Sequence, residues 1–157
     1  MFNAPFTEIL LGILAVLLVV AAVIDTRTFT ISNGLNAAIA LLAPIYWLAA
    51  GLDPWPGMAI QLAVAAGVFG LFAITFFIGM MGGGDVKLAA ALALWFPPAV
   101  TLKFLVLMSI AGGVLTVLVL VVHRLRRREG TPEIPYGVAI AFGGLAILTQ
   151  RFLNQFA

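Results

Sequence analysis

The chain has 157 residues, of which 64% are hydrophobic and 9% are charged. Because a soluble domain is about half apolar and about one quarter charged, this composition is typical of a polytopic membrane protein. The net charge is +2, and the single histidine and the lack of cysteine exclude disulfides, thiolate or histidine-rich metal sites and a cysteine nucleophile.

Six apolar segments, separated by short polar or turn-rich stretches, predict an all-α bundle of about six transmembrane helices. Five of these segments approach the length of about 20 residues that a membrane span needs. The predicted segments are Ile9–Ile24, Leu35–Ala50, Met58–Ile78, a helix from Asp85 to the Pro97–Pro98 pair, Val100–Val122 and Tyr136–Leu153.

The fourth segment is too short to cross a bilayer. Its roughly twelve residues would extend about 18 Å, whereas the hydrocarbon core is about 30 Å thick. It is therefore either a short helix packed within protein or a helix whose glycine-rich entry lies below the membrane surface. Irregular backbone at that depth persists only where protein buries it or a cavity holds water, so both alternatives predict a cavity at Asp85.

The cations predict that the N-terminus is outside. In that orientation Arg27, Lys87 and the four arginines of the loop His123–Pro135 lie inside, whereas only Lys103 and Arg151 lie outside. Cytoplasmic loops carry the excess of lysine and arginine. This also explains the basic run Arg124–Arg128, so nucleic-acid binding is not predicted.

Two aspartates, 60 positions apart, fall on the same predicted membrane face. Asp25 closes the first apolar segment and Asp85 opens the fourth, whereas Glu8 and Asp53 fall on the opposite side. Ionisable groups beside membrane helices are functional-site candidates. Two facing carboxylates suggest an aspartyl pair that shares one proton, in which one acid activates water and the other polarises a carbonyl. Which acid holds the proton stays open at this point.

Purely structural interpretations of these residues are also available. Asp25 could pair with Arg27 at a helix end, and Asp85 could cap a helix after the flexible run Gly82–Gly84. Lys87 lies two residues from Asp85, so on an ideal helix it points away from that acid. The remaining polar groups of the inner loop are interpreted as solvated or interfacial, namely Glu129, Glu133 and His123.

Three motifs resemble those of the type IV prepilin peptidase family. The segment 82–87 is similar to the family's Gly-x-Gly-Asp-x-Lys motif. Asp25-Thr-Arg27 followed by Ile31-Ser-Asn33 is similar to its Asp-x-Arg…Ile-Pro-Asn segment, with Ser32 where proline is usual. Ile134-Pro135-Tyr136-Gly137 is similar to its Pro-Phe/Tyr-Gly signature.

The resemblance implies a membrane aspartic endopeptidase with Asp25 and Asp85 as the catalytic pair, no cofactor and no metal. Its partners would be prepilin precursors, each with a short basic leader and a hydrophobic helix, and the lipid bilayer. Cleavage would occur at the cytoplasmic face of a prokaryotic cytoplasmic membrane, and either Arg27 or Lys87 could contact an acidic residue of the precursor. The residues expected to shape the site are Arg27, Asn33, Gly82, Gly83, Gly84, Lys87, Pro135, Tyr136 and Gly137.

The chain also departs from the long members of the family, which carry a cysteine-containing cytoplasmic part and methylate the new amino terminus. Eight residues precede the first apolar segment and none is a cysteine. The expectation is therefore one peptidase domain over residues 1–157, similar to the short branch of tight-adherence pilus systems and to archaeal preflagellin peptidases, without methyltransferase activity.

Other functions remain as alternatives. A different intramembrane aspartyl protease would cut within the bilayer. A proton or ion transporter could use the two acids as a relay, but transporters usually show broken helices in paired halves, and only one irregular segment is evident here. A membrane scaffold would leave the glycine-rich acidic segment unexplained.

Overall fold

The computed structural model describes residues 4–126, 130 and 132–154, and within these the chain forms six α-helices and no strand. A short irregular turn, Pro54–Met58, precedes the third helix. The predicted all-α fold with six helices is confirmed. The helices are α1 (Ala4–Thr28), α2 (Asn33–Ala49), α3 (Ala59–Phe77), α4 (Gly83–Ala93), α5 (Pro98–Leu125) and α6 (Tyr136–Asn154).

Four of the helices, α1, α3, α5 and α6, are long and apolar enough to cross a membrane. The span that contains α3 also includes the preceding turn. Helix α2 is apolar but has only 17 residues, and α4 has only 11. At 1.5 Å per residue α4 is about 17 Å long, so it cannot span. The predicted short fourth helix is therefore confirmed.

Helix α4 lies at the centre of the bundle. It packs against α2, α3 and α6, while α6 also packs against α1 and α5. Seven of its eleven residues are buried, including Leu88, Ala89 and Leu92. The first of the two alternatives for this segment, a short helix packed within protein, describes the observed structure.

Side chains from neighbouring helices satisfy the backbone where α4 ends inside the bundle. The carbonyl of Leu94 accepts hydrogen bonds from Trp47 Nε1 at 2.7 Å and Gln61 Nε2 at 3.3 Å. Trp95 Nε1 donates to the carbonyl of Ile39 at 3.0 Å. Because a helix end in an apolar surrounding needs such partners, Trp47 and Gln61 stabilise the end of α4, and Trp95 ties the segment that follows it to α2.

The two ends of the bundle carry different polar groups. Asp25 and Asp85 lie at one end, which we call the aspartate end. At the other end, Arg151 donates a hydrogen bond to Tyr46 Oη at 2.8 Å and lies 3.9 Å from Glu8. These contacts tie the start of α1, the end of α2 and the end of α6 together, opposite the aspartates.

Most helix boundaries differ from the prediction by a few residues, and two of these differences concern the aspartates. Helix α1 continues through Asp25 to Thr28, and α4 begins at Gly83 rather than at Asp85. The second difference arises because Gly82 occupies the N-cap position, which makes Asp85 the third helical residue and not the cap. Arg127, Arg128 and Glu129 of the predicted inner loop lie outside the described residues.

Candidate active site

Asp25 lies in the last turn of α1, and its side chain is 1% exposed. Its Oδ2 atom accepts a hydrogen bond from the backbone amide of Val138 at 3.2 Å, and the amide of Gly137 also donates to this carboxylate. Both amides belong to the first turn of α6, where backbone N–H groups have no partner within the helix. The start of α6 therefore holds the Asp25 carboxylate in place.

Gly137 permits this contact because it has no side chain. A Cβ atom at this position would lie 2.8 Å from Asp25 Oδ2 and 2.5 Å from Ile31 Cδ1. Real Cβ atoms essentially never approach other heavy atoms this closely, so any larger residue would displace the acid or the loop. The predicted involvement of Gly137 in the site thus has a steric basis in the structure.

Asp85 is held at the start of α4 and is 8% exposed. The backbone amide of Gly82 donates a hydrogen bond to its carboxylate. This is the arrangement in which an acid at the third helical position reaches back to the N-cap amide. The next glycine, Gly83, is the first helical residue, and a Cβ there would contact the ring of Phe76 at 3.3 Å.

The loop between α1 and α2 lies between the two acid-bearing segments. Ile31, which is 6% exposed, contacts Gly137 with its side chain and Gly84 with its backbone. A Cβ on Gly84 would lie 2.9 Å from the carbonyl oxygen of Ile31 and 3.1 Å from its nitrogen. Gly84 and Gly137 therefore let one residue bridge the start of α4 and the start of α6.

The two carboxylates interact electrostatically. Burial and, to a smaller extent, the negative charge of Asp25 together raise the pKa of Asp85, on the non-spanning helix α4, to about 7. The hydrogen bond from the Gly82 amide opposes this rise because it stabilises the ionised form. An acid that keeps its proton close to neutral pH can act as a proton donor.

Two further hydrogen bonds join α2 to α4. Lys87 Nζ donates to Asn33 Oδ1 at 2.8 Å, and Asn36 Nδ2 donates to the carbonyl of Gly84 at 2.9 Å. These contacts connect residues 54 and 48 positions apart in the sequence. Among the described residues Lys87 forms no salt bridge with Asp85, as its helical position led us to expect.

The other predicted residues are placed less centrally. Arg27 is exposed, and within the described part of the chain it forms no salt bridge with Asp25, so the simple helix-end pair is not observed. Pro135 and Tyr136 are partly buried at the start of α6. His123 is partly buried and contacts the carbonyl of Gly130 at 2.9 Å.

Ser32, the departure from the family motif, caps α2. Its φ of −66° and ψ of 146° are extended, and its hydroxyl accepts a hydrogen bond from the amide of Leu35 at 3.2 Å. Proline has a fixed φ near this value, so serine preserves the backbone shape and adds a helix cap.

Asn36 was not predicted as a site residue. It is 4% exposed, and its amide donates to the residue that precedes Asp85. The sequence signal was a single amide side chain within an otherwise apolar helix, one turn after Asn33. Polar groups in such segments are costly unless they find a partner, and this one marks a helix–helix contact.

Of three comparisons with known proteins, one found a match. Searches of curated proteins and of solved structures found no match. Residues 12–117, which include both aspartates and the glycine run, match the model of the type IV leader peptidase family. That match covers about two thirds of the sequence, and the chain therefore belongs to the type IV leader peptidase family of proteases.

Proposed function

We propose that this membrane protease removes the short leader of prepilin-like precursors and that Asp25 and Asp85 form its catalytic pair. The observation that carries the proposal is that these two are the only buried carboxylic acids among the described residues, and that they share one end of the bundle. They are joined through Ile31, Gly84 and Gly137. Burying two carboxylates together is expensive, so a structural role alone does not account for them.

The two acids have different surroundings, and we infer their roles from this difference. Asp25 accepts hydrogen bonds from backbone amides in the first turn of α6, which hold its carboxylate in place. Asp85 has a pKa raised to about 7 and can keep a proton near neutral pH. In this assignment Asp25 is the general base and Asp85 is the general acid, although the proton belongs to the coupled pair.

Hydrolysis then needs no covalent bond between the enzyme and the substrate. Asp25 removes a proton from water, the water oxygen bonds to the scissile carbonyl carbon, and Asp85 gives its proton to the carbonyl oxygen. The carbon–nitrogen bond then breaks as the nitrogen takes the proton from Asp25, and Asp85 recovers a proton from one hydroxyl of the intermediate. The products are a new carboxyl group and a new amino terminus, and the pair returns to its starting state.

The charge distribution supports a cytoplasmic position for this site. Arg27, Lys87, Arg124 and Arg126 belong to segments at the aspartate end, whereas Lys103 and Arg151 belong to segments at the other end. An excess of cations favours the cytoplasmic side. The leader of a precursor whose hydrophobic helix lies in the bilayer would then meet the aspartates at the membrane surface.

The test is cleavage of a purified prepilin-like precursor by the protein reconstituted in liposomes, with the new termini identified by mass spectrometry. We expect one cut at the junction of the leader and the hydrophobic helix. A panel of precursors with the junction moved stepwise into the helix should be cleaved progressively more slowly. Preferred cleavage deep in the helix would instead identify a different intramembrane protease, and proton flux without cleavage would identify a transporter.

A further inference from the structure

A groove opens on the side of the bundle between α3 and α5. Helix α3 packs mainly against α4 and α5 mainly against α6, so α3 and α5 make few contacts with each other. The space between them has a volume of about 300 Å³, with walls that include Phe72, Gly112 and Gly113. We call it the α3–α5 groove.

The groove is continuous with the aspartate end. Met81, in its lining, directly precedes the run Gly82–Gly84 that leads to Asp85. Tyr136, also in its lining, directly precedes the two residues whose amides hold Asp25. A chain that followed the groove would therefore reach the segments that position both acids.

The walls of the groove are suited to an apolar helix. The hydroxyls of Thr75, Ser109 and Thr116 donate to carbonyls of their own helices at 2.7 Å each, so they offer few free polar groups. Among the residues that the structure describes, no lysine or arginine lines the groove, which argues against an anionic ligand. A Cβ atom on Gly113 would meet no other atom within 4 Å, so there is free space in the groove beside this glycine. Small residues allow helices to approach closely in a bilayer.

A second groove, between α2 and α3, leads to a different place. It is lined largely by alanines, and at the aspartate end it contains Asn33 and Lys87. Lys87 lies two residues after Asp85, so it occupies nearly the opposite face of α4. Lys87 is also bonded to Asn33. A helix in this groove would end on the side of α4 away from the acid.

We propose that the α3–α5 groove holds the hydrophobic helix of the precursor, with the leader junction delivered to Asp25 and Asp85. This inference rests on the proposed function, and it adds the surface that recognises the substrate. Contacts between the precursor's hydrophobic helix and the groove would contribute binding energy far from the scissile peptide bond. This energy would hold the scissile bond in position for attack.

The first test fills the groove. Gly113→Leu places a branched side chain in the open space, and Gly70→Leu is the matched control because Gly70 is exposed on α3, lies outside both grooves and has nothing within 4 Å of a Cβ. Cleavage of the full precursor is compared with cleavage of a soluble peptide that spans the junction but lacks the hydrophobic helix. We expect Gly113→Leu to lower kcat/KM for the precursor about tenfold more than for the peptide, a factor equivalent to about 1.4 kcal/mol.

Equal effects on both substrates, or no effect on either, would overturn the groove assignment while leaving the proposed function intact. If the wild-type protein cleaves neither substrate, the proposed function itself fails.

The second test locates the helix directly. Because the chain has no cysteine, an introduced cysteine supplies the only thiol of the protein, and any disulfide must form at that position. In an inactive Asp25→Asn background, Gly113→Cys should form a disulfide with a cysteine placed in the precursor's helix, whereas Gly70→Cys should not. A disulfide from Ala66→Cys instead would assign the helix to the α2–α3 groove. A disulfide between two copies of the Gly113→Cys variant, without capture of precursor, would assign the α3–α5 groove to self-association. Either result would refute the proposal.

Discussion

Replacing Gly84 with alanine is predicted to damage the site without touching either acid. The added Cβ would lie 2.9 Å from the carbonyl oxygen of Ile31, 3.1 Å from its nitrogen and 3.2 Å from its Cβ. Two of these are backbone atoms, which cannot rotate away as the end of a flexible side chain can. The start of α4 must therefore move relative to the loop that leads to α2, and Asp85 moves with it.

The size of the effect follows from the distances. Ordinary contacts begin at 3.4 Å, so relief of the shortest contact requires a movement of about half an ångström. Overpacking of this kind costs about 1–3 kcal/mol. A displacement of about 1 Å at a catalytic centre can cost about a hundredfold in rate, so half of that movement should lower kcat about tenfold or more.

Gly34→Ala is the matched control. Gly34 is the second residue of α2 as Gly84 is the second residue of α4, and a Cβ on Gly34 would meet nothing within 4 Å. Both variants gain the same helix propensity, at most about 1 kcal/mol, so the difference between them isolates the steric clash. The assays are precursor cleavage and thermal unfolding in detergent. If Gly84→Ala matches Gly34→Ala in both, the proposed contact with Ile31 does not position Asp85.

The remaining predictions concern the polar groups around the acids. Asn36→Leu removes the side-chain donor to the part-buried carbonyl of Gly84, so we expect a loss of about 0.5–1.5 kcal/mol in unfolding free energy and a lower kcat with little change in KM. An unchanged kcat would exclude a positioning role. Lys87→Met and Asn33→Ala remove the two halves of one hydrogen bond, so their effects on cleavage should not add in the double variant, and additive effects would show that the contact is not functional. Activity should fall as the pH rises above about 7, because Asp85 then loses the proton that it donates, and a rate that stays level to pH 9 would contradict this assignment. The same raised pKa means that folded protein binds more protons than unfolded protein between about pH 4 and 7, so thermal stability should decrease across that range in the wild type and decrease less in Asp85→Asn; an equal decrease in the two proteins would contradict the raised pKa of Asp85.

The hydropathy pattern predicted the helices well because each apolar run must satisfy its own backbone in a membrane. The boundaries were less accurate where a tertiary contact determines the helix end. At the start of α4, the Gly82 amide binds Asp85 two residues inside the helix, and in the last turn of α1 Asp25 accepts a hydrogen bond from α6.

The motifs identified both aspartates and the glycines near them, but they did not reveal how these residues are brought together. The bridging position of Ile31 and the bond from Asn36 to Gly84 depend on segments about 50 residues apart in sequence. An isoleucine in an apolar chain carries no local signal for such a role. Ser32 could be interpreted only as a departure from the motif, and its capping bond became visible with the helix it begins.

The most direct test of the central claim is cleavage of a prepilin-like precursor by Asp25→Asn, Asp85→Asn and Asp53→Asn variants at equal amounts of folded protein. Asparagine retains the size of each side chain but cannot exchange a proton with water or with a carbonyl oxygen. Asp53 is exposed in the connection between α2 and α3, so it controls for the loss of a negative charge. The paired mechanism predicts no detectable cleavage by either of the first two variants and wild-type cleavage by the third. Substantial cleavage by Asp25→Asn or by Asp85→Asn would show that the two acids do not act together.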